Sequence, residues 1–123
     1  MRRYLAAISA AAFVVGLATS VATAAGKEMT VKGEVIDAIC YTKNGPEKGA
    51  GDSHASCALS CAKRGNEMAI LAADGVYTIA GDYTAEKNAK LIDFVAKQVE
   101  AKGTVTEKDG KKVIDVMSMT AAK

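Results

Sequence analysis

The sequence has few aromatic side chains, and it contains no tryptophan. Its 123 residues include two phenylalanines, four tyrosines, one proline and one histidine. Beyond the first 24 residues, Arg64 is the only arginine. Single-stranded nucleic acids are usually bound by aromatic surfaces that stack on bases, combined with basic grooves. This composition therefore argues against a nucleic-acid-binding function.

The N-terminus has the pattern of an export signal. Arg2 and Arg3 precede an apolar, alanine-rich run at 5–21, and Ala-Thr-Ala at 22–24 has the small-x-small form of a cleavage site. This order predicts a secretory signal peptide over residues 1–24 and one small domain over residues 25–123. The apolar run is short for a membrane span, so we expect no stable membrane insertion after cleavage.

Cleavage changes the charge balance of the chain. The whole sequence has 16 Lys+Arg against 14 Asp+Glu, and removal of Arg2 and Arg3 leaves 14 against 14. A neutral domain gives no electrostatic reason to expect a nucleic-acid partner. Export predicts a periplasmic or secreted protein in an oxidising compartment, where cysteines can pair.

Hydrophobic alternation predicts five strands. They lie at 29–37, 68–72, 76–80, 98–106 and 112–119, and Ala38–Cys40 continues or ends the first of them. The pattern predicts a loop at 43–53, a short helix that ends at Gly65, and a second helix at about 85–96. Met117 and Met119 alternate on the last strand, and we expect both in the core.

The order of these elements predicts a mainly β domain with some helix. Five strands, with a loop and short helix between strands 1 and 2 and one helix between strands 3 and 4, are typical of a small OB-like barrel. Gly33 and Gly103 each interrupt a strand, as expected where strands bend in a strongly coiled barrel. An open sheet with one packed helix is the alternative.

One stretch contains most of the side chains that can do chemistry. Cys40, Cys57 and Cys61 are the three cysteines, and His54 is the only histidine. Three thiolates and one imidazole have the composition of a Cys3His zinc site, and thiolates also suit Cu(I). A helix rises about 1.5 Å per residue. His54 and Cys61 are therefore far apart for one ion, unless His54 lies at a frayed helix start or only supports the other ligands.

The chain resembles a group of small exported, OB-like bacterial proteins. The resemblance rests on Gly33-Glu34-Val35-Ile36-Asp37 leading to Cys40, on His54-x-x-Cys57-Ala58-x-x-Cys61, and on the later strand at Lys102-Gly103-Thr104-Val105. It covers nearly all of the mature chain. The resemblance implies an OB-like fold and export, and it implies no particular activity.

Two other chemistries fit the same stretch. A disulfide from Cys40 to Cys57 or Cys61 would staple the loop to the barrel, and closing a loop of about 20 residues contributes roughly 3 kcal/mol. It would leave one thiol free. Alternatively, the thiols form a redox site with His54 nearby. No Cys-x-x-Cys is present, which argues against a thioredoxin-type centre.

The sequence therefore predicts a non-enzymatic, exported domain that binds Zn or Cu through Cys40, His54, Cys57 and Cys61. The metal ion is the predicted partner, and a periplasmic protein is a further candidate. A disulfide-stapled module that binds a ligand or a protein is the first alternative. A thiol redox protein is the second.

Overall fold

Five strands close into a barrel in the order β1-β2-β3-β5-β4. The computed structural model describes residues 26–122, so the predicted signal peptide lies outside the described residues. The strands and helices are β1 Lys27–Asp37, α1 Ala38–Gly49, α2 Ala55–Lys63, β2 Met68–Ala72, β3 Gly75–Ala80, α3 Ala85–Asn88, β4 Gln98–Lys108 and β5 Lys111–Ala121. The predicted mainly β, five-stranded OB-like barrel is confirmed, with the Cys/His stretch between strands 1 and 2.

Strand β1 closes the barrel because it pairs with two neighbours. Its first part, 27–34, lies antiparallel to β4, and its last part, 33–37, lies antiparallel to β2. Strand β1 changes its pairing partner from β4 to β2 at Gly33, where an added Cβ would collide with the backbone carbonyl of Leu71. Glycine is required here because the two backbones approach too closely for a side chain.

A second glycine marks a bulge between β4 and β5. Gly103 pairs with Val116 while Lys102 pairs with Ser118, so Met117 has no partner on β4. The extra residue shifts the alternation of β5, and Met117 is 56% exposed while Met119 is buried. The prediction that both methionines are in the core is thus wrong for Met117, because a bulge changes which side chains face inward.

The barrel interior and the inner face of α2 form one apolar core. The largest fully buried apolar side chains in the described range belong to Ile36, Met68, Ile70, Leu91, Ile114, Val35 and Val99. Ala58 and Ala62 of α2 pack against this core. The core therefore fixes the position of α2, and with it the cysteines that α2 carries.

The segment after β1 is helical, where the sequence predicted a strand end and a loop. Helix α1 begins at Ala38, and its path is broken at Gly45, which has a φ of 74°. Pro46 follows and begins a second helical stretch, as suits a residue with fixed φ and no N–H group. No helix in residues 26–122 is long and apolar enough to cross a membrane.

The predicted helix between strands 3 and 4 begins at Ala85 as expected, but it ends at Asn88 and not near residue 96. Only one turn forms at α3, and Glu86, Lys87 and Asn88 have φ values of 53°, 55° and 61°. This turn directs Asn88 inward, and its Nδ2 donates to the carbonyls of Ala62 at 3.0 Å and Asn66 at 2.9 Å. A continuous right-handed helix is incompatible with these backbone angles. Asn88 thus donates to one carbonyl in the last turn of α2 and to one just beyond the helix.

Candidate metal centre

Asp37 connects the end of β1 to the start of α1. Its Oδ1 accepts hydrogen bonds from the backbone N–H of Ile39 at 2.8 Å and of Cys40 at 2.9 Å. These bonds satisfy two of the free N–H groups at a helix start, as an N-cap residue does. Cys40 is thereby placed in the first turn of α1, next to the Asp37 carboxylate.

Two sulfurs and an imidazole meet at the protein surface. The Sγ atoms of Cys40 and Cys57 and a ring nitrogen of His54 all lie within 4.8 Å of one another. We call these three residues the outer group. Cys57 is exposed, and Cys40 and His54 are half-buried. In a tetrahedral zinc site with Zn–S bonds of 2.3 Å, neighbouring sulfurs are about 3.8 Å apart, so small rotations would bring this group around one ion.

A second set of ligands shares Cys40 and lies deeper. The Sγ atoms of Cys40 and Cys61 and a carboxylate oxygen of Asp37 also lie within 4.8 Å of one another. We call these three residues the inner group. Asp37 and Cys61 are both buried. Arg64 closes this group on one side, because its Nη2 donates to the Cys61 sulfur at 3.3 Å.

The four ligands predicted from the sequence are thus divided between two groups. Three of them, Cys40, His54 and Cys57, come together in the outer group, while no close group in the described range contains both His54 and Cys61. His54 belongs to a short 3-10 turn that precedes α2, and Cys61 lies in the second turn of α2. This separation agrees with the rise of a helix per residue, which predicted that His54 and Cys61 are too far apart to bind the same ion.

Asp37 is the site residue that sequence reasoning missed. It is the N-cap of α1 and also a member of the inner group. The available signal was the spacing Asp37-x-x-Cys40. An N-cap side chain and the third residue after it lie on the same side of a helix start, so this spacing brings the two side chains close together.

Burial and negative charge shape the protonation of the inner group. The pKa of Cys61 is raised to about 11, because its thiol can donate to the Asp37 carboxylate only while protonated and because the thiol is buried. Burial also raises the pKa of Cys40, and the negative charge of Asp37 adds to this effect. For Asp37, burial alone would raise the pKa, but hydrogen bonds from Cys40, Cys61 and Ile39 outweigh it and lower the pKa.

The loop before α2 is tied to the barrel through Glu34. Both carboxylate oxygens of Glu34 accept from the backbone N–H of Gly51, at 2.9 and 3.1 Å. The carbonyl of Gly51 in turn accepts from the backbone N–H of His54 at 3.1 Å. Glu34 thus fixes the segment that carries the imidazole. The Nε2 atom of His54 is buried and has no hydrogen-bond partner in the part of the chain that the structure describes.

The end of α1 folds back against its own beginning. Gly49 is buried, and a Cβ there would lie 2.6 Å from the Cα of Tyr41 and 3.1 Å from the carbonyl oxygen of Cys40. No side chain fits in this space. The chain therefore passes directly over the Cys40 backbone where α1 ends. Because of this close passage, the segment between α1 and α2 brings His54 and Cys57 to Cys40.

The three cysteines are free thiols in this structure. The sulfur of Cys40 is within 4.8 Å of the sulfurs of both Cys57 and Cys61. A disulfide requires an S–S distance of about 2.05 Å, so neither predicted staple is formed, although both pairs are close. Because both staples would use Cys40, only one of them could form in a given molecule.

Helix α1 also lines a groove at one end of the barrel. The groove has a volume of about 620 Å³ and lies between α1, the β2–β3 hairpin and the β4–β5 turn. Its lining includes Tyr41, Thr42, Glu67, Thr78, Lys111 and Lys112. No cysteine or histidine contributes to it. The groove is therefore a surface separate from the outer and inner groups.

Comparison of the chain with protein-family models, with curated proteins and with solved structures finds no match. The resemblance to small exported OB-like proteins therefore stays a prediction. The functional argument rests on the geometry of the described residues.

Proposed function

We propose that this protein is an exported domain that binds a soft transition-metal ion, Zn or Cu, in the outer group. The observation that carries the proposal is the convergence of two thiol sulfurs and one imidazole nitrogen, all within 4.8 Å of one another. Thiolate and imidazole are the ligands that Zn and Cu(I) prefer in proteins. The periplasm or the extracellular space is the proposed location.

The exposure of the outer group supports exchange of the ion with its surroundings. Cys57 is exposed and Cys40 is half-buried, so an ion can reach the group without unfolding of the barrel. Within residues 26–122, the Nε2 of His54 has no hydrogen-bond partner. A buried polar nitrogen without a partner is costly, and a bound ion or an ordered water is the usual explanation. Metal handling is therefore a better-supported role than a purely structural metal.

The first experiment measures metal and thiols on protein purified from the periplasm without reductant or chelator. Elemental analysis gives metal per chain, and thiol titration under denaturing conditions gives free cysteines. We expect bound Zn or Cu together with three titratable thiols. Protein with one titratable thiol and no metal would be disulfide-stapled, and that result would contradict the proposal.

Variants locate the ion. His54→Ala and Cys57→Ser should each weaken metal binding, because each removes one outer ligand. Ser56→Ala is the matched control, since Ser56 is an exposed neighbour of Cys57 on α2 and belongs to neither group. Loss of metal in Ser56→Ala, or full retention in both ligand variants, would place the ion elsewhere.

The groove beside α1 supports a second candidate function, which is binding of a small polar ligand. In OB barrels the loop after strand 1 and the turn between strands 4 and 5 are common ligand-binding elements, and both line this groove. Substitution of Tyr41 or Lys111 should then reduce ligand binding without changing metal content. A screen of small polar compounds by thermal shift, compared between wild type and Tyr41→Ala, tests this alternative.

A further inference from the structure

The two oxygens of the Asp37 carboxylate have different surroundings. Oδ1 accepts the two backbone bonds that cap α1. Oδ2 is buried and accepts no N–H or O–H hydrogen bond within residues 26–122, although the Cys61 thiol can donate to the carboxylate while it is protonated. Asp37 as a whole is 0% exposed. Helix capping uses only one of the two oxygens, so the other is available as a ligand in a buried site, where a bound cation would offset the charge of the carboxylate.

The free oxygen belongs to a set of ligands that differs from the outer group. Asp37 combines with the sulfurs of Cys40 and Cys61 within 4.8 Å, and Cys61 is 5% exposed. Two thiolates and a carboxylate are typical zinc ligands. Cu(I) prefers soft ligands alone, so the carboxylate favours a divalent ion.

We propose that the inner group binds a second metal ion, a divalent cation of the Zn²⁺ type, and that the thiolate of Cys40 bridges this ion to the one in the outer group. This inference rests on the proposed function, because the bridge requires an ion in the outer group. A site with two ions changes the role of the protein from holding one ion to holding a small cluster.

The geometry around Cys40 suits such a bridge. Cys40 is the one residue common to both groups, and no close group in the described range contains both Cys57 and Cys61. The two sets of ligands therefore extend from Cys40 in different directions. With metal–sulfur bonds of about 2.3 Å and ions about 3.5–4 Å apart, the angle at the bridging sulfur is roughly 100–120°.

The charges of the ligands are compatible with two divalent ions. Together the two groups supply three thiols and one carboxylate, and His54 is a neutral ligand. With all three thiols deprotonated, these ligands carry four negative charges, which two divalent ions would neutralise. The Arg64 guanidinium at 3.3 Å from the Cys61 sulfur would donate to a metal-bound thiolate, as groups around metal ligands commonly do.

The test counts metal equivalents in protein expressed from the full-length sequence, reduced and stripped of metal. Zn²⁺ is titrated by calorimetry, and Co²⁺ is titrated in parallel because its absorption reports thiolate ligation. We expect two equivalents for wild type and one for Asp37→Asn. Asparagine keeps the oxygen that caps α1 but loses the charge. Circular dichroism of the metal-free proteins should show the same fold for both.

Cys61→Ser removes the other ligand unique to the inner group and should also leave one equivalent. Ser56→Ala should retain two equivalents. The inference is overturned if wild type takes one equivalent, or if Asp37→Asn still takes two. If wild type takes one equivalent that His54→Ala weakens, the proposed function stands and only this inference fails. If wild type takes no metal, both fail.

Discussion

The backbone N–H of Cys40 donates to Oδ1 of Asp37 at 2.9 Å. One carboxylate therefore fixes the start of α1 and lies within 4.8 Å of the sulfurs of Cys40 and Cys61. This contact connects the end of a barrel strand directly to the ligand that both groups share. The position of Cys40 thus depends on the barrel and on a helix cap, both of which are independent of a bound ion.

A bound ion should stabilise the fold, because it binds the folded chain at a preformed group. At a free metal concentration of 100 times the Kd, one site contributes about 2.7 kcal/mol to the free energy of unfolding. Thermal unfolding with added Zn²⁺, and then with excess chelator, should show a reversible increase in Tm. The double variant His54→Ala/Cys57→Ser is the control, and an equal increase in that variant would contradict binding at the outer group.

Glu34→Ala should weaken metal binding although Glu34 is not a ligand. Removal of its carboxylate releases the N–H of Gly51 and loosens the segment that orients His54. We expect a loss of about 10-fold in Zn²⁺ affinity, as for other groups that orient metal ligands. Competition titration with a chromogenic chelator measures this.

Glu100→Ala is the matched control for Glu34→Ala. Glu100 lies on β4 and forms an exposed ion pair with Lys32 at 3.8 Å, away from both groups. Exposed ion pairs contribute little to stability, so this variant should bind metal like wild type. Equal affinity in Glu34→Ala and wild type would mean that the contact with Gly51 does not position His54.

Asn88→Ala should destabilise the domain by about 1–3 kcal/mol, because the half-buried Asn66 carbonyl loses its side-chain donor and the buried Ala62 carbonyl keeps the backbone N–H of Gly65 but loses the Asn88 amide. Urea unfolding of the metal-free protein measures the change. Asn88→Gly is the control, since glycine tolerates the φ of 61° at this position but carries no amide. A much smaller loss in Asn88→Gly than in Asn88→Ala would assign the effect to the backbone and not to the hydrogen bonds.

Gly103→Ala should destabilise the barrel by about 3 kcal/mol. The new Cβ would collide with the backbone carbonyl of Asp115 at the bulge between β4 and β5, and a backbone atom cannot move aside cheaply. Urea unfolding gives the loss. Gly110→Asn is the comparison, because Gly110 has a φ of 77°, which asparagine tolerates, and nothing within 4 Å of an added Cβ. We expect little change there.

The pair Tyr77–Asp74 should make stability depend on pH in acid. The Tyr77 hydroxyl donates to Oδ2 of Asp74 at 2.7 Å, and this bond lowers the pKa of Asp74 below its ordinary value of 3.8. A lowered carboxyl pKa contributes stability that is present above pH 3.8 and is lost as the pH falls through the pKa of the folded state. Tyr77→Phe should lose this contribution.

Thermal unfolding of wild type and Tyr77→Phe between pH 7 and pH 2 measures the effect. The difference between the two proteins should be constant near neutral pH and should shrink in acid. Asp74→Asn removes the titrating group and also its ion pair with Lys112, so its pH profile should be at least as flat as that of Tyr77→Phe. A constant difference down to pH 2 would show that the hydroxyl does not act through Asp74.

Much of the fold could be predicted from local sequence. The five strands follow from alternation of apolar and polar residues, and Asp109 and Gly110 both adopt positive φ, as a tight hairpin turn requires. The short helix before Gly65 was also predicted. These features depend on neighbouring residues, so the sequence is informative about them.

Two of the errors, the length of the helix that begins at Ala85 and the position of Met117, fall where distant contacts override local preference. Residues 85–96 have helical composition, but Asn88 must reach the carbonyls of Ala62 and Asn66, and the backbone turns left-handed to allow it. Met117 loses its inward position because of a bulge opposite Gly103. In both cases the residues that determine the local structure are distant in sequence, so a local sequence pattern does not predict it.

By itself, the sequence determined that the chain has a small β barrel and that its thiols and imidazole lie in one stretch. Those properties follow from strand periodicity and from simple residue counts. Tertiary structure alone decided how the ligands are divided into an outer and an inner group. The distances between the ligands are set by the close contact of Gly49 with the start of α1 and by the helix cap at Asp37. Cys40 lies between the two groups, and the buried Asp37 carboxylate joins the inner group, because only packing brings the end of β1 next to α2.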